Sequence, residues 1–440
     1  MISKHAKFVE INSNTFALYN NFIMDVLIVN KKERDEIIAE KISDNNFKKT
    51  LERSGIYIKN PGVDSKALEK LRNIYLNNVG KIDILYLIVT NNCNLRCKYC
   101  FLENNPLCPK ERENMSLSTA LKAIEKFANH LQKNNKKNAT ILFYGGEPTL
   151  KIDIIKQSID YARKFPIDFE FTIITNGTNV TQENAEYFKK NNVNLGLSID
   201  GPQDITDENR KFKNSNEGVF KVVWKSKKLL DQNDVSYGLS MVVSDYFLAN
   251  QNKIIAWLKE NHNRGIYYNL LHFDKYDDKN DLHSKNSAKF IIKSYENFEK
   301  DCPTLLDGRI QRQINSFYNK EFIFSDCGAV GLNQITILPD GSTCICHGDS
   351  SNKEKSLGNI DDIDLDKIIE LEKAKYWINR STLYNNECLS CEALFCCGGG
   401  CPHHAEVINC DNNSLDKNYC IYSKEILKWM LKRAYDNSIN

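Results

Sequence analysis

The segment Asn91-Asn92-Cys93-Asn94-Leu95-Arg96-Cys97-Lys98-Tyr99-Cys100-Phe101 puts three thiols on one short loop, spaced Cys-x3-Cys-x2-Cys. A structural zinc site closes with four ligands, usually drawn from two separated pairs, and this loop holds three. Three soft thiolates suit three irons of a [4Fe–4S] cube and leave the fourth iron open to a small molecule. A zinc knuckle that borrows a distant ligand such as Cys108 is the alternative reading of the loop alone. A second set is denser: ten of the 15 cysteines lie between Cys327 and Cys420. It reads Cys327-x13-Gly341-x4-Cys346, then Cys388-x2-Cys391-x5-Cys397-x3-Cys401, then Cys420. Seven cysteines in such an order are far more specific than an isolated Cys-x2-Cys.

Fifteen thiols cannot all pair within one chain. The start, Met1-Ile2-Ser3-Lys4-His5, leads into charged sequence rather than the apolar block of a secretory signal. A cytoplasmic location is therefore expected, where disulfides are reduced and so many thiols serve metal or catalysis. With 59 Lys+Arg against 57 Asp+Glu, the net charge of +2 excludes a polyanion coating the whole molecule. The longest apolar run, Ile84 to Thr90, suits a buried strand and is far short of the roughly 18 residues of a membrane helix. Neither a nucleic-acid nor a membrane partner is expected.

The elements that must position these thiols follow from periodicity. At about 150 residues per domain, 440 residues predict three domains. In the first, strand-like runs at 7–11, 15–19, 24–29 and 56–58 accompany helical patterns at 31–41, 45–53 and 65–76, a winged-helix-like set. Its helices mix acids and bases without a basic recognition face. From residue 84 to about 274, strands at 84–90, 139–145, 169–176, 193–200, 235–244 and 266–273 alternate with helices. Repeated βα units imply a parallel sheet with helices outside, here a partial (β/α)6 barrel of TIM type, in the α/β class. Ligands then belong at the C-terminal strand ends, where the motifs fall. A further helix is expected at 287–301. The boundaries expected are 1–80, 81–305 and 306–440.

At this point the residues carry a resemblance. Cys93-x3-Cys97-x-Tyr99-Cys100 after a first strand resembles the signature of the radical S-adenosylmethionine (SAM) family, and Tyr144-Gly145-Gly146-Glu147-Pro148 resembles that family's GGEP motif. The resemblance implies that Cys93, Cys97 and Cys100 hold a SAM-binding [4Fe–4S] cluster, and that Gly145, Gly146 and Glu147 meet the methionine amino group. It also implies cofactor roles for Tyr99, for Asn176 in Thr175-Asn176-Gly177, and for Ser198 and Arg210, the last two on the ribose and carboxylate. Reductive cleavage of SAM then gives a 5′-deoxyadenosyl radical that takes hydrogen from an unactivated C–H bond.

The C-terminal spacing resembles the SPASM extension of that family, which holds two auxiliary [4Fe–4S] clusters, three clusters in all. Carried over, Cys388, Cys391, Cys397 and Cys420 fill one cluster. Cys327, Cys346 and Cys401 hold the other and leave one iron without a protein thiolate, unless Cys344, on the same strand face as Cys346, closes it. The remaining cysteines, Cys108, Cys302, Cys396 and Cys410, read as buried small side chains or loop thiols. His403 and His404 read as neighbours of the cluster.

Two groups within the family compete. Anaerobic sulfatase-maturating enzymes, which make formylglycine, place an acid just after the cysteine matching Cys346, where this chain has His347, and start close to the cluster loop. Maturases of ribosomally made peptides carry an N-terminal winged-helix-like domain that binds a leader peptide, and thioether-forming members keep an open auxiliary iron for a substrate thiolate. The expectation is a peptide maturase that joins a cysteine sulfur to a carbon of a precursor peptide, with residues 1–80 on the leader. A flavodoxin or ferredoxin would supply electrons, and His347 or Asp307 would serve as a base. Carbon–carbon crosslinking, epimerisation and an iron–sulfur transcription regulator are the other readings.

Overall fold

A computed structural model describes every residue except 101, 103–112, 263, 274, 276, 350–352, 410–413 and 440. Cys108 and Cys410 lie outside the described residues.

The chain begins with an antiparallel sheet of β1 (Ala6–Asn12), β2 (Thr15–Asn20) and β3 (Leu27–Asn30), in that spatial order. Two helices follow, Lys31–Ile38 and Asn45–Arg53. Asn30 and Glu33 close a capping box on the first helix, and the Asp44 side chain accepts the backbone N–H groups of Asn46 and Phe47 on the second. The central strand is buried on both faces. Phe16 and Leu18 join Val29, Ile37, Leu51 and Ile56 in a small core, while Ala17 and Tyr19 point the other way into the main core of the molecule. Residues 56–58 do not form a strand: Tyr57 makes only an isolated bridge to Ile2. The next helix, Gly62–Leu76, leads to the large sheet.

That sheet contains six parallel strands: β4 (Ile84–Thr90), β6 (Asn138–Gly145), β7 (Asp168–Thr175), β8 (Val193–Ser198), β10 (Tyr237–Val243) and β11 (Ile266–Leu270). Their spatial order is their chain order, and each pair is parallel. Helices 117–133, 152–162, 182–190, 220–232 and 251–261 cover the outside, so the α/β alternation read from periodicity is realised as a partial barrel. Ser116 and Thr181 cap two of these helices with their hydroxyls. The last strand stops at Leu270, shorter than expected, and the following helix spans Asp278–Phe298 rather than starting at 287.

Two pairings were not visible in the sequence. Short β5 (Leu95–Cys97) pairs antiparallel with β9 (Arg210–Phe212), setting Cys97 opposite Arg210. The large sheet also does not end at β4. β12 (Gln334–Ile337) pairs parallel with β4, and β13 (Ser342–Cys344) and β14 (Gly358–Asn359) continue antiparallel beyond it. The cysteine-rich region is thereby stitched by backbone hydrogen bonds onto the first strand of the barrel. A final helix, Lys417–Ile439, packs against Asp278–Phe298. Among the described residues no helix is long and apolar enough to cross a membrane.

Candidate active site and cluster-binding regions

The barrel interior holds a cavity of about 440 Å³ at the C-terminal strand ends. Its lining includes Cys93, Cys97 and Cys100 from the loop after β4, with Tyr99, Gly145, Gly146, Glu147, Asn176, Ser198 and Arg210. Every residue expected to touch the cofactor therefore borders one space. The approach is close because side chains are missing: a Cβ on Gly145 would lie 2.2 Å from the Thr90 carbonyl oxygen, and one on Gly146 2.2 Å from that of Asn92. Gly145 also has φ +138°, a conformation that favours glycine. The backbone N–H groups of Gly146 and Glu147 donate to those same two carbonyls, so strand end and cluster loop form one unit.

Glu147 is almost fully buried and held by four hydrogen bonds. Its Oε1 accepts from Thr149 N–H and the Thr149 and Thr175 hydroxyls, and Oε2 from Asn176 N–H at 2.6 Å. Burial pushes its carboxyl pKa up, opposed by these donors. A carboxylate has about four lone-pair sites, so Oε2 keeps one for an external donor. A buried carboxylate so arranged fits a cationic ligand group. Asn176 is spent largely on the loop: its amide donates to Asn94 Oδ1 at 2.9 Å, and its Oδ1 accepts from Thr178.

Arg210 lies at the cavity wall but has a partner of its own. Its Nε and Nη2 donate to Asp200 at 3.0 and 3.2 Å, and the Tyr99 hydroxyl donates to the same carboxylate. Nothing in the sequence pattern tied Asp200 to this role beyond its place at a strand end. Tyr99 of the loop and Arg210, the strand partner of Cys97, thus share the Asp200 carboxylate.

The thiols fit iron–sulfur clusters in their electrostatics. Burial, helped by the neighbouring thiols of the same loop, pushes the Cys93 pKa up to about 11 and the Cys97 pKa up to about 12. Buried thiols that oppose one another's ionisation become thiolates only with cations to hold them. Cys388, Cys391, Cys397 and Cys420 line a second cavity of about 300 Å³. Burial pushes Cys388 to about 12, and Cys397 and Cys391 raise it further. The third group is Cys327, Cys346 and Cys401: burial is the first cause of the raised Cys346 pKa, and Cys401 and Cys327 add to it. Among the described residues no three His, Cys, Asp or Glu side chains converge on a point that one metal ion would fill. Thiols spread in this way suit cubes, in which each thiolate takes its own iron.

The Cys344 thiol is spent on the backbone, donating to the Cys346 carbonyl at 3.2 Å, and burial raises its pKa. Alternation put Cys344 and Cys346 on one face, but the strand ends at Cys344 and the chain turns into His347–Asp349. His404 is committed at both nitrogens, Nδ1 to Asp416 and Nε2 accepting from Phe273 N–H. His403 Nδ1 pairs with Asp349.

His347 does line the barrel cavity, and burial pushes its pKa down to about 4, so its ring is neutral near pH 7. Asp307 corrects the expectation of a base. One of its carboxylate oxygens accepts from the N–H groups of Arg309 and Ile310 and the other from Tyr268 N–H, so it caps helix Gly308–Asn319 and pins β11. It borders neither cavity. The Leu306-Asp307-Gly308 signal was a helix start.

Sequence reasoning missed Tyr86 and His272, and it read Tyr144 only as part of a motif; all three line the cavity. Tyr86 and Tyr144 are inward positions of β4 and β6. Strand alternation could have marked them once the barrel was assumed.

Residues 87–249 match the radical SAM superfamily, and residues 327–392 match the SPASM iron–sulfur cluster-binding domain. The chain is similar to the radical SAM cyclopropyl synthase TigE of Paramaledivibacter caminithermalis, 28% identical over 83% of this chain and 77% of that protein. It is also similar to a cysteine-type anaerobic sulfatase-maturating enzyme of Clostridium novyi, 27% identical over 77% of this chain and 92% of the relative. Among solved structures, native anSMEcpe with bound AdoMet and Cp18Cys peptide superposes with a TM-score of 0.68 at 20% identity, over 81% of this chain and 99% of that one. Streptococcus suis SuiB bound to its precursor peptide SuiA gives 0.55 at 16% identity, over 96% of this chain and 99% of that one.

Proposed function

For a chain that carries a radical SAM domain joined to a SPASM iron–sulfur domain, we propose the role of a peptide maturase that joins a substrate cysteine sulfur to a carbon of the same ribosomally made precursor. The observation that supports this reading is that the Cys344 thiol is committed to the Cys346 carbonyl, while His347, the residue after Cys346, lines the barrel cavity; Cys327, Cys346 and Cys401 would then form a group of three. Cys93, Cys97 and Cys100 would hold the SAM cluster; Cys388, Cys391, Cys397 and Cys420 a closed auxiliary cluster; and Cys327, Cys346 and Cys401 an auxiliary cluster whose last ligand is the substrate thiolate. When bound, SAM and its cluster would supply a 5′-deoxyadenosyl radical that removes one hydrogen atom from the peptide, and the electron left over as the C–S bond forms would pass to the auxiliary iron–sulfur cluster.

The protein's own part is positioning. Glu147 would receive the ammonium of SAM, and Gly145 and Gly146 would let the backbone approach it. Ser198 and Arg210 border the remainder of the cofactor, Arg210 through a guanidinium already oriented by Asp200. The barrel wall excludes water from the reacting carbon. His347, neutral and at the wall, is the group placed to take a proton released from the peptide.

Residues 1–80 form the leader-binding unit of this proposal, with 81–305 the barrel and 306–440 the auxiliary-cluster region. The open edge of the N-terminal sheet offers backbone for an added strand. The likeness to the SuiB fold, which extends over 96% of this chain, supports the division. A flavodoxin or ferredoxin is the proposed electron donor.

Glu147→Gln keeps the shape and removes the charge. SAM affinity should fall about 10- to 100-fold, the equivalent of one charge-assisted hydrogen bond, measured by equilibrium dialysis with radiolabelled SAM.

The reaction itself is tested by anaerobic incubation with SAM, reductant and a cysteine-containing precursor peptide encoded nearby. The expected product has lost two hydrogens and one free thiol. Formylglycine formed on a sulfatase peptide would overturn the reading. Loss of two hydrogens with every thiol intact would favour carbon–carbon ring closure, the second reading, to which the similarity with a cyclopropyl synthase gives weight.

A further inference from the structure

Two tyrosines, Tyr86 and Tyr144, line the barrel cavity together with the first cysteine loop. Both pack on His347, the residue that follows Cys346 of the third group. Burial pushes the Tyr86 pKa up to about 12 and that of Tyr144 still higher, which keeps both as O–H donors.

The rings are fixed. His347 stacks on Tyr86 with centroids 5.0 Å apart and meets Tyr144 edge-on at 4.8 Å. The two tyrosines themselves pack nearly perpendicular at 6.4 Å. Backbone pairing of β4 with β6 holds both from behind. Tyr19, Tyr75 and Tyr419 spend their hydroxyls on the chain, on the Glu392 carbonyl, the Ile378 carbonyl and Asp326, whereas the hydroxyl of Tyr422, in the packed core away from this cavity, has no partner among the described residues. Among the described residues the hydroxyls of Tyr86 and Tyr144 have no hydrogen-bond partner. Two rigid, unspent donors facing a cavity are a site for an acceptor that arrives with the ligand.

We propose that Tyr86 and Tyr144 are substrate-binding residues whose hydroxyls donate hydrogen bonds to the sulfur of the incoming peptide cysteine, selecting an anionic sulfur over an apolar side chain at the third thiol group. This rests on the reading that the substrate brings a thiolate there. Donors preset around a thiolate favour its charged form and hold it at a fixed distance from the carbon to be attacked.

The test is a double-mutant cycle on peptide binding to the anaerobic, cluster-loaded enzyme. Affinities of a cysteine-containing precursor and of its Cys→Ala counterpart are measured by calorimetry for the unaltered enzyme and for the Tyr86→Phe/Tyr144→Phe variant. Phenylalanine keeps the ring packing, and SAM binding reports on an intact cavity. The cysteine peptide should bind the variant about tenfold more weakly, while the alanine peptide binds both alike. The cysteine-dependent change in the visible spectrum should weaken in parallel. If the unaltered enzyme prefers cysteine and the variant keeps that preference in full, or weakens equally toward both peptides, the tyrosine proposal is overturned. If the unaltered enzyme does not distinguish the peptides, the thiolate reading beneath it fails.

Discussion

Cys97→Ala is expected to bring 5′-deoxyadenosine formation down to the level of cluster-free protein, with iron content falling from about twelve to about eight per chain. Cys97 is the middle thiol of the loop, and its strand partner is Arg210. With one of three thiolates gone the loop retains two, and the acids nearest the loop are already engaged, Asp200 by Arg210 and Tyr99 and Glu147 by Thr149, Thr175 and Asn176. The substitution should leave the barrel folded, because the loop is held by backbone bonds from Gly146 and Glu147 and by the β5–β9 pairing. An unchanged melting curve beside lost nucleoside production separates chemistry from folding. Undiminished 5′-deoxyadenosine in this variant would remove the basis of the radical assignment.

Cys420→Ala acts through stability instead. Cys420 opens the C-terminal helix and completes the ring of four around the 300 Å³ cavity. The same ring anchors the N-terminal sheet: Asn21 donates to the Cys391 carbonyl at 2.9 Å and the Tyr19 hydroxyl to that of Glu392 at 2.7 Å. Losing the cluster here should therefore loosen residues far away in sequence. The expected cost exceeds about 4 kcal/mol, as for other structural metal sites. Proteolysis and hydrogen exchange should report it first in residues 1–60 and at the start of the last helix. Cys344→Ala is the contrasting case, with iron content unchanged. A Cys420→Ala protein with full iron and an unaltered N-terminal exchange pattern would show that this ring holds no structural cluster.

Local pattern revealed most of the barrel. The runs at 84–90, 139–145 and 169–176 became β4, β6 and β7 within a residue, because each alternates or runs apolar over a length that only a strand satisfies. The cysteines and glycines that line the two cavities stood out in the sequence by their spacing. What escaped notice was contact between distant segments. Nothing local in Gln334–Ile337 says that it will pair with Ile84–Leu87, and nothing local in Arg210 names Asp200 as its partner. Asp307 was misread because an acid before a glycine suits a helix cap as well as a base, and only the three N–H groups around it decide. Tyr86 drew no notice and Tyr144 was read only with its motif, because nothing local says that β4 and β6 turn both rings into one space.

The backbone join between β12 and β4 makes the spacing of two reactive places a property of the main chain. One end of β4 leads into the loop of Cys93–Cys100, and the strand hydrogen-bonded beside it leads through β13 to Cys346. Such a lattice behaves as a ruler rather than a jaw: it cannot widen for a bulky peptide without breaking sheet hydrogen bonds. Which atom of a bound peptide reacts is then set by how many residues fit between two fixed marks, so lengthening the peptide between its cysteine and its target carbon should shift the position attacked instead of stretching the enzyme.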